Sequence, residues 1–167
     1  MPINFFDDAC KTESNIIEFG LCDNPPPAED PAYINEDTPA KWIGIVNNPA
    51  KRDVDFYAID HCVTILKPDG INKESRCDGM LHFDNTVIFV ELKMRGGSGW
   101  LKKARSQLKI TIDKFKIANP LTDFDKVEAY ASNSLKPSAN RGNNTQIQEF
   151  RDDTGGLTLY AQQEINV

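Results

Sequence analysis

The sequence predicts an α/β fold in which a mixed central sheet is flanked by helices. Three observations carry this. Residues 76–93 have the pattern of two short strands joined by a tight turn. Residues 99–118 have a helical apolar stripe, and residues 127–131 form a short apolar run after it. The elements follow in the order helix, strands, hairpin, helix, strand, which suits a sheet between helices. At 167 residues, 40% apolar and 26% charged, the chain is expected to form one soluble domain over residues 1–167.

Taken in order, residues 5–21 read as an amphipathic helix. Asn4 is a candidate N-cap, and Asp7 and Asp8 fall in the first turn, where the helix dipole favours them. Phe5, Phe6, Ala9, Cys10, Ile16, Ile17 and Phe19 make one apolar arc, with Glu13 near its middle and Glu18 on the polar side. Residues 22–38, with three consecutive prolines at Pro25, Pro26 and Pro27, are a connector, because proline can neither continue a helix nor join a central strand. Strands are expected over 41–46 and 54–66, with a turn at Asn47, Asn48 and Pro49 and another at 67–70. In the second of these, His61 has two readings, a metal or phosphate contact and a histidine near a strand edge; the latter is favoured.

The central hairpin runs over 76–83, turns at Asp84 and Asn85, and continues through the apolar run 86–90 into Glu91, Leu92 and Lys93. Alternation along a strand puts Glu91 and Lys93 on one face and Leu92 on the other. If the two strands pair, Asp78 meets Glu91 and Lys93 at one end of the sheet. Charges placed there are costly to desolvate, and a metal ion is the usual reason for them. The glycine-rich segment 94–99 lacks the lysine spacing of a P-loop, so it serves as a sharp turn in which Ser98 can cap the next helix. That helix carries Trp100, Leu101, Ala104, Leu108, Ile112 and Phe115 on its apolar arc, with Gln107 at the margin. A short helix over 145–152, a break at Gly155 and Gly156, and a final strand over 157–167 complete the chain.

Asp78, twelve intervening residues and then Glu91-Leu92-Lys93 resembles the core motif of the PD-(D/E)XK nuclease superfamily. Arg76 two residues before Asp78, and Gln107-Leu108 in the following helix, resemble its RecB and Cas4-like branch more specifically. Cys77 stands where the motif's name has proline. The resemblance covers residues 76–115 and implies a restriction-endonuclease-like core of αβββαβ order. It further implies a Mg²⁺- or Mn²⁺-dependent deoxyribonuclease. Asp78, Glu91 and the Leu92 carbonyl would hold the metal, and Glu13 would complete the site from the first helix. Lys93 would orient the attacking water, and Gln107 would support the centre.

The charge distribution agrees with a phosphodiester substrate. Net charge is −6, yet residues 91–116 hold eight Lys and Arg against two acids, while residues 1–37 hold one Lys against nine acids. Arg95, Lys102, Lys103, Arg105 and Lys114 are therefore candidate DNA contacts, with plain solvation as the competing reading. The expected partners are DNA, with a homodimer or a larger nuclease or defence complex possible in principle. No run is apolar enough to span a bilayer, and the expected compartment is the cytoplasm, with Cys10, Cys22, Cys62 and Cys77 all reduced. Other readings stay open: a catalytically silent nuclease fold binding DNA or protein, a two-carboxylate glycosidase, and a small interaction protein.

Overall fold

The eight-residue strand Thr86–Lys93 (β7) is buried along its whole length and organises the molecule. The computed structural model describes residues 2–137 and 143–167. Ten strands precede and follow β7 or include it: β1 Lys11–Ser14, β2 Glu18–Cys22, β3 Tyr33–Asn35, β4 Gly44–Asn47, β5 Val54–Ala58, β6 Gly79–Phe83, β7, β8 Lys126–Asn133, β9 Leu159–Tyr160 and β10 Glu164–Asn166. Two helices, α1 Trp100–Ala118 and α2 Asn144–Thr154, complete the described elements with three short 3₁₀ turns.

The strands form two mixed sheets. One has six strands in the order β1-β5-β6-β7-β8-β9, and the other has four in the order β10-β4-β2-β3. Strands β5, β6 and β7 are antiparallel neighbours, and β7 and β8 run parallel across α1. Alternation on β7 explains the layering. Val87 and Phe89 pack with Leu101, Ala104, Leu108, Ile112 and Phe115 of α1 and Phe150 of α2. Ile88, Val90 and Leu92 pack on the opposite face with Phe19 and Leu21 of β2, Val46 of β4 and Ile165 of β10. A strand covered on both faces reads as a continuous apolar run, as 86–90 does. The expected mixed sheet is present, but its flanks differ from the expectation. The helices cover one face, and the four-stranded sheet covers the other.

The hairpin turn at Asp84 and Asn85 has φ of 42° and 57°, the positive values a two-residue turn between twisted strands requires. Helix α1 starts one residue later than expected. Gly99 rather than Ser98 is its N-cap, without a side-chain cap hydrogen bond. Helix α2 ends on Gly155 in the left-handed conformation. The expected final strand 157–167 is two short strands in different sheets. Residues 138–142 of the turn-rich stretch after β8 lie outside the described residues.

The N-terminal segment departs most from its sequence reading. Residues 5–21 form a 3₁₀ turn at Asp8–Cys10 and the strands β1 and β2, not a helix. Phe19 and Leu21 alternate across Gly20 and both are fully buried. At Gly20 a Cβ would lie 1.9 Å from Cγ of Trp42, so only glycine permits this packing. The helical arc is dispersed: Phe5 joins the helix-side core, Phe19 joins the core between the sheets, and Ile17 is 58% exposed. Tertiary pairing with β4 and β5 overrides a weak local periodicity.

Cys10 and Cys62 form a disulfide across 52 residues, while Cys22 and Cys77 are free and buried. The expectation of four reduced thiols therefore fails for two of them. Among the described residues no helix is long and apolar enough to cross a membrane.

Candidate functional site

A cleft of about 300 Å³ opens where β2 and β5 end, β6 begins and β7 ends. Its lining includes Asp23, Asp60, Asp78, Glu91, Lys93 and Gln107. Each element delivers its residue for a local reason. Asp78 directly precedes β6, whose first residue, Gly79, pairs with Ala58 of β5 and Val90 of β7. A Cβ at Gly79 would lie 2.3 Å from Cζ of Phe56, so the chain beside Asp78 packs too tightly for any other residue. Just before it, the Cys77 amide donates to Oγ1 of Thr111 on α1 at 2.8 Å.

Glu91 and Lys93 share the α1-facing side of β7 with Val87 and Phe89, as alternation predicts. Their contacts are short and mutual. The Asp78 amide donates to Oε1 of Glu91 at 3.1 Å, and the Leu92 amide donates to Oδ2 of Asp78 at 2.7 Å. Lys93 Nζ lies 2.8 Å from Oε2 of Glu91 and donates to Oε1 of Gln107 at 2.8 Å. Gln107 Nε2 donates to the Arg76 carbonyl at 3.2 Å. Helix α1 is thereby tied both to the lysine and to the chain leading into Asp78.

The electrostatics follow from burial. Asp78, Glu91 and Lys93 are 8%, 2% and 9% exposed. Burial, and then the neighbouring Glu91, push the Asp78 carboxyl well above the usual carboxylate range. Burial also raises Glu91, against the pull of Lys93. Asp23, at the end of β2, is pushed up to about 6, first by burial and then by the charges of Asp78 and Asp60. The cleft therefore holds more carboxylate than its surroundings stabilise in the ionised form.

The four residues Asp78, Glu91, Lys93 and Gln107 come together as the sequence reading expects, and Leu92 lines the same cleft. Glu13 does not join them. It lies exposed on β1 opposite Asp55 of β5, in a separate hollow with Glu36, Asp53 and Asp55. The reason is the missing first helix. Two acids that the sequence reading did not select, Asp23 and Asp60, line the cleft instead. Asp60 is held by Arg76, whose guanidinium lies 2.7 Å away. The one sequence signal for Asp60 is its place next to His61. His61 itself is exposed and has φ of 61°.

Of the candidate DNA contacts, Arg95 lines the cleft and Lys103 lines the hollow next to it. Lys102 lines a further hollow. Lys114 lies seven residues beyond Gln107, about 10 Å along the same side of α1. Arg105 is a correction. It is only 16% exposed and is paired with Glu149 and Asp153 of α2, so it ties two helices together, which the sequence reading does not foresee.

Among the described residues no three His, Cys, Asp or Glu side chains are gathered into one metal-holding group. Asp78 and Glu91 form a close pair of hard oxygen donors, with Asp23 and Asp60 on the same cleft. That set suits Mg²⁺ or Mn²⁺, because Mg²⁺ is typically held by one or two carboxylates while water and substrate phosphate fill its other positions. Comparisons with family models, with curated proteins and with solved structures found no match for the chain.

Proposed function

We propose that the protein is a divalent-metal-dependent deoxyribonuclease of the PD-(D/E)XK kind, with its centre at Asp78, Glu91 and Lys93. The observation that carries the reading is the convergence of these three buried residues with Gln107 at one end of the hairpin. Asp78 and Glu91 would hold the metal through their carboxylates, with Leu92 beside them, and Asp23, on the same cleft, would take the place expected of Glu13. Bound Mg²⁺ or Mn²⁺ supplies a water of lowered pKa and neutralises charge on the scissile phosphate.

The chain's own residues do the rest. A bound cation would relieve the crowding of Asp78 and Glu91, whose ionised forms burial disfavours. Lys93 then has less negative charge to satisfy at Glu91, and its ammonium is available to orient the attacking water and to stabilise charge on the phosphorane. Gln107 keeps the ammonium aimed at that point. Asp60, paired with Arg76, lines the same cleft.

A second reading has an observation of its own. The Lys93–Glu91 pair and the Leu92 amide bond to Asp78 satisfy much of the buried charge without a metal. That favours a catalytically silent nuclease fold that binds DNA or a protein. Incubation of single-stranded, double-stranded and branched DNA with the protein in Mg²⁺, in Mn²⁺ and in EDTA separates the two. The nuclease reading expects cleavage with metal and none with EDTA, and the silent reading expects none in any condition.

A further inference from the structure

We propose that the substrate is a single unpaired strand of nucleic acid, whose backbone leaves the cleft along a basic track formed by Arg95, Lys103, Lys102 and Lys136. The inference rests on the nuclease reading of the cleft and adds the substrate class. Its basis is the way three hollows join. The cleft of about 300 Å³ shares Lys93 and Arg95 with a hollow of about 220 Å³ that also includes Lys103. That hollow shares Gly97, Ser98, Gly99 and Trp100 with a third, of about 320 Å³, that includes Lys102 and Lys136. Among the described residues no carboxylate lines either outer hollow. A continuous path of cations and amide-bearing loop thus runs from the reacting centre in one direction.

The other side of the cleft has the opposite charge. Asp23 lines it beside Asp60, whose charge is offset by Arg76 at 2.7 Å, and the connector that carries Asp23 adds the exposed Asp30, bonded to Asn24. One backbone can follow the cations. A second backbone, held at duplex spacing, would have to lie against these acids in a chain of net charge −6. The distances are short enough for this to matter, since a minor groove is about 6 Å wide and screening acts over about 8 Å at physiological salt. The hollows are also small. Each is near or below the lower end of the roughly 300–1,000 Å³ range of small-molecule pockets.

Two further features agree. A Cβ built at Gly96 or Gly97 meets nothing within 4 Å, so packing does not demand these glycines. Their absence of side chains leaves backbone amides open to close approach by a phosphate. Pro25, Pro26, Ile43 and the half-exposed Met94 give the cleft an apolar surface. Such a surface is suited to an unstacked base, which a duplex keeps inside its stack.

The test uses one labelled oligonucleotide, single-stranded or annealed to its complement. Fluorescence anisotropy with the Lys93→Ala chain in Mg²⁺ reads binding without cleavage, and gel analysis with the wild-type chain reads cutting. The expected result is at least tenfold tighter binding and faster cutting of the single strand. Lys102→Glu and Lys136→Glu should each weaken single-strand binding several-fold and shallow its salt dependence, with the melting temperature unchanged; Lys102→Ala and Lys136→Ala give the same direction if a reversed charge impairs folding. Equal or better binding and cutting of the duplex overturns the inference while leaving the nuclease reading intact. Wild-type single-strand binding by all four lysine variants also overturns it. If neither form is bound or cut, both readings fall together.

Discussion

Gln107 accepts a hydrogen bond from Lys93 at 2.8 Å and donates one to the Arg76 carbonyl at 3.2 Å, so one side chain of α1 sets the lysine against the strand that carries Asp78. On the proposed nuclease reading Gln107 is a positioning residue. Gln107→Ala removes one hydrogen bond to a charged group and is expected to lower the single-turnover cleavage rate by roughly tenfold while leaving Mg²⁺ affinity within about twofold. Stability should fall by about 1–3 kcal/mol in urea titration. A purely structural role would lower stability and leave the rate per folded molecule unchanged.

Of two acids, sequence reasoning selects Glu13 for the site and does not select Asp23. Glu13 is exposed on β1, and Asp23 lines the cleft. Glu13→Gln is expected to leave Mg²⁺ affinity and cleavage unchanged. Asp23→Asn is expected to lower both. Isothermal titration with Mg²⁺ on the two variants checks the assignment, and the reverse outcome would return Glu13 to the site.

Stability of the metal-free chain should depend on pH through the cleft. Asp23 is raised from 3.8 to about 6, chiefly by burial, and Asp78 and Glu91 are raised in the same direction. A carboxylate raised on folding contributes stability that is present below its unfolded value and is lost as pH rises through its folded value. Other carboxylates shift oppositely, so the difference between variants is the cleaner measure. The melting temperature of Asp23→Asn minus that of wild type should rise as pH increases from about 4 through about 6, the window set by the Asp23 shift. Added Mg²⁺ should shrink that difference, because a ligand stabilises the state that binds it. A difference that stays flat across this window would contradict the crowding of charge in the cleft.

The Cys10–Cys62 disulfide ties the turn before β1 to the loop that follows Asp60 and His61. Replacing both cysteines by serine should cost roughly 2–4 kcal/mol of stability, the usual range for removing such a cross-link. Denaturant melts of wild type with and without a dithiol reductant should show a loss of similar size. No change on reduction would mean that the bond does not hold the N-terminal turn in place.

The legibility of this fold divides along the range of the contacts. The hairpin was readable because Asp84 and Asn85 take the positive φ that a tight turn needs, and because Thr86 to Val90 is buried on both faces. Helix α1 was readable from its own apolar stripe, all six of whose residues are buried. The second sheet was not. Its strands β4 and β10 meet across most of the chain, with Asn47 bonded to Asn166 at 3.2 Å. Strands of three to five residues, such as β2 and β3, are too short to distinguish a period of two from one of 3.6. The site divides in the same way. Asp78, Glu91, Lys93 and Gln107 belong to the hairpin and the helix after it, so spacing located them. Asp23 comes from the second sheet, and no local pattern marked it. Arg105 looked like a free cation because its partners, Glu149 and Asp153, lie more than forty residues away on α2.

The central claim is that Lys93 acts on the reaction while Asp78 and Glu91 hold the metal. Its most direct test measures DNA cleavage and Mg²⁺ affinity together for wild type and Lys93→Ala. The account predicts metal-dependent cleavage by wild type, abolished by EDTA. It predicts a loss of about 10² or more in rate for Lys93→Ala, as for other electrostatic catalytic groups, with Mg²⁺ affinity unchanged or tighter because Glu91 is released from its 2.8 Å ion pair. An absence of cleavage by wild type in both Mg²⁺ and Mn²⁺, or a Lys93→Ala chain that cuts DNA at the wild-type rate, would contradict it.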